Sequence, residues 1–184
     1  MTSVLPPYEA DLRHLRRTFA SIPSSVVAVL AEVEGALHAL VASTFTVGVS
    51  GVPPLVSLAV QRTSQTWPLL RAAPSLGVSV FAADQEALVR QLSSAERQHR
   101  FDGVPIRSTG SSARFIAGAV AWFECSLWNE VPAGDHTVAL LEVHALGADP
   151  ETEPLVFHSS EFRGLLGARP QAEPPFPSAA KESA

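Results

Sequence analysis

The stretch VPAGDHTVALLEV, residues 131–143, places Gly134, Asp135 and His136 where a turn gives way to strand-forming residues. A Gly-Asp pair reverses a chain readily, so the plain reading makes His136 simply the first residue of the next strand. A sharper reading of His136 needs the rest of the chain. A second chemical stretch is Gln61-Arg62-Thr63-Ser64-Gln65-Thr66-Trp67. It follows a strand pattern and precedes a helix pattern, so Thr66 and its neighbours can aim unpaired N–H groups at an anion. The helix dipole and the Arg62 charge would support such binding; an ordinary N-cap beside a solvated arginine is the alternative. Val41-Ala42-Ser43-Thr44-Phe45 groups backbone N–H donors with short hydroxyl donors at a strand end, although a strand that merely carries Ser and Thr reads equally well. His99-Arg100-Phe101 sets an aromatic beside a cation after a helix, a combination that commonly docks a loop.

The elements that must carry these residues follow from periodicity and breakers. Leu12, Leu15 and Phe19 lie 3 and 4 apart and predict a helix from Glu9 to Phe19. Val26 to Val33 and Ala36 to Thr46 read as a hairpin around Glu34-Gly35. Pro53-Pro54 opens a strand from Leu55 to Val60; Thr66 caps a short helix that Pro74 ends. Leu76 to Phe81 reads as a strand, and Asp84 as the cap of a helix from Gln85 to Leu92. Ala117 to Trp128 and His136 to Leu146 are long strands joined by a turn containing Pro132 and Gly134. Six strands with a few helices predict a mainly β (α+β) fold, an antiparallel barrel with helical additions. Residues 1–8 read as a flexible N-terminus, 9–168 as the domain, and 169–184, rich in Pro, Ala and Ser, as a disordered tail.

Composition narrows the function. With 184 residues, 46% apolar and 17% charged, the chain can bury a core of one domain. Thirteen basic against eighteen acidic residues give a net charge of −5 with no basic cluster, which argues against nucleic acid. The most apolar stretch is broken by Glu32, Glu34 and His38, so no membrane span is expected. A single cysteine, Cys125, excludes an intrachain disulfide and suits a reducing cytoplasm; mid-strand in AWFECSL, it reads as a small core residue. His14, His38, His99, His144 and His158 show no ligand spacing, so no metal is expected. The chain lacks G-x-S-x-G, H-E-x-x-H, G-x-x-x-x-G-K-[ST] and G-x-G-x-x-G, which argues against hydrolase, zinc, P-loop and Rossmann chemistry.

In order, LVASTFTVGVSGVPPLVSLAV, RTSQTWPLL, HRFDGV, AWFEC and GDH resemble the flavin reductase family over about Phe19 to Phe162. Members of that family are small FMN-binding split-barrel proteins, often the reductase partners of two-component monooxygenases. The resemblance implies an NAD(P)H:flavin oxidoreductase that reduces FMN or FAD with NADH or NADPH. It implies a homodimer with flavin sites at or near the subunit interface, and a separate monooxygenase component. A non-catalytic flavin carrier or sensor of the same fold is the alternative, and a deazaflavin oxidoreductase a more distant one.

Residue by residue, the resemblance places the flavin ring against Ala42, Ser43, Thr44 and Phe45. The connection from Phe45 to Pro53 looks one residue longer than the family pattern, which a bulge at Gly48 or Gly51 would absorb. The flavin phosphate falls to Gln61, Arg62, Thr63, Ser64 and Thr66, while Trp67 packs its helix onto the barrel. Val60 and Phe81, at strand ends, and Arg100 with Phe101 join the cofactor site. His136 becomes the catalytic position: it contacts the nicotinamide and orients it for hydride transfer, which needs no protein nucleophile.

Overall fold

The computed structural model describes residues 11–165; the expectations for 1–8 and for the tail from 169 lie outside the described residues. Helix α1 (Leu12–Ala20) starts at Asp11, whose carboxylate accepts the N–H groups of Arg13 and His14. After β1 (Ser24–Ser25), β2 (Val27–Val33) and β3 (Ala36–Ala42) form the expected hairpin. Its turn residues Glu34 and Gly35 both have positive φ, 52° and 77°, the mirror-image turn that matches strand twist. The predicted second arm stops at Ala42 and a new strand begins at Thr46, giving β4 (Thr46–Gly51) and β5 (Pro54–Gln61). Between the pairs Thr46↔Ser57 and Ser50↔Leu55 the register shifts, and Gly48 there has φ 72°. The long connection therefore forms an edge strand with a bulge.

Next come α2 (Trp67–Leu70), β6 (Leu76–Val80), a 3₁₀ turn at 83–85 and α3 (Glu86–Leu92). Asp84 does not cap α3. Instead the buried side chain of Gln85 accepts the Ala82 N–H at 3.0 Å and donates to the Ala117 carbonyl at 2.8 Å. The remaining strands are β7 (Ile106–Ser108), β8 (Arg114–Ile116), β9 (Ala121–Ala133), β10 (His136–Ala148), β11 (Val156–His158) and β12 (Glu161–Arg163). Among the described residues twelve strands thus replace the expected six: five are pieces of two or three residues, too short to show alternation, and the sixth addition is β4. Pro132 lies within β9, opposite Thr137, leaving Gly134-Asp135 as the turn.

Seven strands form one antiparallel sheet in the order β3-β2-β6-β9-β10-β5-β4. Contact between β3 and β5 curls that sheet into a barrel. Strand β2 is buried on both faces, which explains its unbroken apolar run. Val27, Val29 and Ala31 join Leu58, Val78, Cys125 and Leu141 in one cluster, into which α2 inserts Trp67 and Leu70. Val26, Ala28 and Leu30 face the other way, onto Phe81, Val89, Leu92, Ile116 and Leu155. The Cys125 thiol is fully buried and its pKa is pushed up to about 12 by desolvation and then by Glu124. At neutral pH it is a protonated core group with no nucleophilic role.

One glycine marks where two layers meet. A Cβ on Gly77 of β6 would lie 2.1 Å from the Arg114 carbonyl oxygen of β8 and 2.8 Å from its carbon. Backbone cannot yield as a flexible side chain can. Gly77→Ala is expected to destabilise the fold by about 3 kcal/mol, the upper end for overpacking, read as a lower urea midpoint. An unchanged midpoint would mean that β6 and β8 separate easily.

Candidate active site

The β9–β10 hairpin turns through Gly134, with φ 63°, and Asp135, and the strand order then fixes what His136 meets. In β10 it pairs with Gln61, the last residue of β5. The Arg62 N–H donates to the Asp135 carbonyl at 3.0 Å. The two chemical stretches, about seventy residues apart in the chain, are thus joined at one end of the barrel. His136 Nδ1 sits 2.7 Å from Asp135 Oδ1. The Asp135 carboxyl is held below its usual range by that hydrogen bond and then by the imidazole charge. With Nδ1 so engaged, Nε2 is the nitrogen left for a ligand.

The loop after β5 is built from its own atoms. Ser64 donates its N–H to the Gln61 carbonyl at 2.9 Å, and its hydroxyl accepts the Trp67 N–H at 3.2 Å. Ser64, not Thr66, therefore caps α2; the Thr66 side chain makes no cap bond. Buried Trp67 donates Nε1–H to Glu130 Oε1 at 2.7 Å, and Arg71 pairs with Glu130 Oε2 at 2.7 Å. The short helix is thereby pinned to β9. A single turn sums few peptide dipoles, so α2 supplies little of the expected field. Arg62 is exposed and its side chain is not part of the cleft wall.

The cation in the wall is Arg100. Its Nε donates to the Ser94 carbonyl at 2.7 Å, and its Nη2 donates to the same oxygen. Burial and then the neighbouring Arg97 lower its pKa from the ordinary guanidinium value. Arg97 in turn donates to Gln65 Oε1 at 2.8 Å, tying the 97–99 turn to the loop.

On the opposite wall, Thr44 Oγ1 donates to the Ala59 carbonyl and accepts the Ala59 N–H, both at 3.0 Å. This hydroxyl replaces a backbone partner for β5 and is not a free donor. Phe45 turns into the barrel, where its ring lies 5.6 Å from that of Phe123. Phe81 is 0% exposed and offers a ligand no surface. Phe101 packs against the second core cluster and supports the segment that presents Arg100.

The result is a cleft of about 490 Å³. Of the residues expected at a site, Ala42, Ser43, Thr44, Val60, Gln61, Thr63, Ser64, Thr66, Arg100 and His136 line it; Phe45, Arg62, Phe81 and Phe101 do not. The wall also takes in Ala39, Leu40, Val41, Ala59, Leu92 and Ser93. Only Ser93 among these carries a polar side chain, and its place at the end of α3 is its one sequence signal. The wall holds six hydroxyls (Ser43, Thr44, Thr63, Ser64, Thr66 and Ser93), one guanidinium, one imidazole and no carboxylate. Thr44 and Ser93 already spend their hydroxyl protons on backbone carbonyls; the other hydroxyls with Arg100 suit a ligand that carries hydrogen-bond acceptors and a negative charge. Among the described residues no cluster of His, Cys, Asp and Glu could hold a metal ion.

Known proteins share this architecture. The chain is 34% identical over 171 residues to the NADH-dependent FAD reductase of Streptomyces globisporus, spanning 87% of this chain and 91% of that one. It is 32% identical over 160 residues to the actinorhodin polyketide dimerase of Streptomyces coelicolor, spanning 86% and 89%. The structure of the Streptomyces globisporus NADH:FAD oxidoreductase in complex with NAD and FAD fragments superposes with a TM-score of 0.80. That match is 32% identical and covers 92% of this chain and 99% of the other. The family model described as flavin reductase like domain matches residues 19–166. With hydroxyl loop, guanidinium and turn histidine joined in one split-barrel cleft, the chain belongs to the flavin reductase family.

Proposed function

We propose that this protein is an NAD(P)H:flavin oxidoreductase that reduces FMN or FAD and hands reduced flavin to a separate monooxygenase component. The observation that carries the reading is the single cleft uniting the 63–66 loop, Arg100, the small-residue end of β3 and His136. Bound flavin would supply the hydride acceptor and a nicotinamide nucleotide the donor. The chain's own part is positional. Ser64, Thr66 and Arg100 hold the phosphate end, and Ala42, Ser43 and Val60 flank the ring. His136, oriented by Asp135, places the nicotinamide against it, a geometry on which transfer rates depend steeply.

The protein works as a cytoplasmic homodimer. Edge strand β4 leaves Val47 60% and Val49 42% exposed, and Trp128 of β9 is 53% exposed; such edges and patches are ordinarily covered. Among the described residues no helix is long and apolar enough to cross a membrane.

The direct test is NADH or NADPH oxidation by the purified protein with FMN or FAD. Sustained turnover is expected; a carrier of the same fold would bind flavin yet leave the nicotinamide nucleotide unconsumed. Within the cleft, Arg100→Ala is expected to weaken FMN binding by about 1.5–3 kcal/mol, roughly ten- to a hundredfold. Arg62→Ala should change it less than about threefold, since an exposed charge is screened. Equal effects in a titration of both variants would return Arg62 to the site. His136→Ala is expected to leave flavin affinity nearly intact while raising KM for NADH and lowering kcat together. Asp135→Asn should shift both constants in the same direction but less, because it loosens the ring without removing it. An early-melting His136→Ala with normal NADH kinetics would reduce His136 to a turn residue.

A further inference from the structure

Arg100 reaches the cleft from an irregular segment, and one residue outside the cleft holds that segment at both ends. Helix α3 is anchored by Val89 and Leu92, buried in the second core cluster. Gln91, beside Leu92, has both its carbonyl and its side-chain amide engaged. The carbonyl accepts the Ser94 N–H at 3.1 Å, and the Ser94 carbonyl is the oxygen that accepts Arg100 Nε at 2.7 Å. Gln91 Nε2 donates to the His99 carbonyl at 3.1 Å and to the Asp102 carbonyl at 2.8 Å. Those two carbonyls bracket Arg100-Phe101. Residues 93–102 thus leave α3 and return to the same residue of it.

The other bonds of the segment hold it less firmly. Its own backbone bonds are long, 3.4 Å from Arg100 N to the Arg97 carbonyl and 3.3 Å from Asp102 N to the His99 carbonyl. The His99–Asp102 contact joins side chains 70% and 69% exposed, where solvent screens it. The bond from Arg97 to Gln65 is also exposed. Phe101 packs into the second core cluster. Apolar contact is non-directional, so it sets the depth of the segment and not the heading of the adjacent guanidinium. A primary amide has two N–H donors, and here both grip the backbone on either side of the cleft cation. We infer that Gln91 is a positioning residue that aims Arg100 at the phosphate end of the flavin, an inference that rests on the flavin reading of the main cleft. Gln91 is no part of the cleft wall, so it acts through Arg100. Holding the guanidinium in place before a ligand arrives lowers the ordering cost of binding.

The test titrates wild type, Gln91→Met, Arg100→Ala and the double variant with FMN and with riboflavin, the same ring without the phosphate, followed by quenching of flavin fluorescence. Methionine keeps the length and helix propensity of glutamine and removes both donors. Gln91→Met is expected to weaken FMN binding roughly fivefold, the scale of losing neutral hydrogen bonds, and to leave riboflavin binding within roughly twofold. On the Arg100→Ala background the same substitution should change FMN affinity less than about twofold, because residues that act through one group are not additive. Gln91→Leu gives a second removal should Gln91→Met not fold, and a thermal melt of each variant reports folding. Should riboflavin bind too weakly to titrate, the FMN cycle decides alone. Wild-type FMN affinity in the Gln91 variants would overturn the inference. So would an equal loss of FMN and riboflavin, which would make Gln91 a support of the cleft as a whole, or an undiminished loss in the absence of Arg100. An Arg100→Ala variant that binds FMN as wild type does would instead sink the phosphate reading of the cleft, an outcome distinct from the other three.

Discussion

The pairing of β5 with β10 is the constraint on which the site depends. Its register runs from His136↔Gln61 to Glu142↔Leu55. It sets the turn imidazole beside the start of the hydroxyl loop, and the Arg62 N–H to Asp135 carbonyl bond extends the ladder past the strands. A slip of one residue would exchange the two faces of β10, carrying Ala139 and Leu141 out of the barrel core. The core thus enforces the register, and the register places the site. Hydrophobic burial acts here on the geometry of the cleft through strand pairing.

A second requirement is that the loop between β5 and α2 keep its shape without a long helix behind it. Glu130 meets it from β9, accepting from Trp67 Nε1 and pairing with Arg71. Trp67 and Leu70 fill the end of the barrel cluster, so the segment that closes the core also fixes the loop beside it. On the other wall Thr44 uses its hydroxyl to satisfy Ala59, keeping the end of β3 against β5.

The electrostatics follow from one fixed guanidinium rather than from a basic surface. Arg100 spends donors on the Ser94 carbonyl and is oriented before any ligand arrives. Preorganisation of this kind lowers the ordering cost of binding. The remaining wall is neutral hydroxyl and small apolar side chain, suited to a flat ring held by shape and by backbone donors.

Residue types and spacing carried much of this by themselves. The β2–β3 hairpin at Glu34-Gly35, the long β9 and β10 arms, the inert Cys125 and the packing role of Trp67 could all be read before folding, because each follows from local backbone preference or from burial of an apolar side chain. The Gly-Asp-His turn and the hydroxyl loop were legible as a turn and as a loop before a helix for the same reason, and only the ordered likeness of the motifs to the flavin reductase family gave them a chemical reading. What tertiary structure decided was direction and company. Arg62 and Arg100 carry the same charge, and only packing shows that the first points to solvent while the second lines the cleft. Phe45 and Phe81 sit at strand ends near the cleft, but the pleat turns both into the cores. Ala39, Leu40 and Ala59 reach the cleft through curvature of the sheet, and no chemical signal in an alanine or leucine announces that. Side-chain chemistry is local and can be read along the chain; which way a side chain faces is set by contacts between residues far apart in sequence.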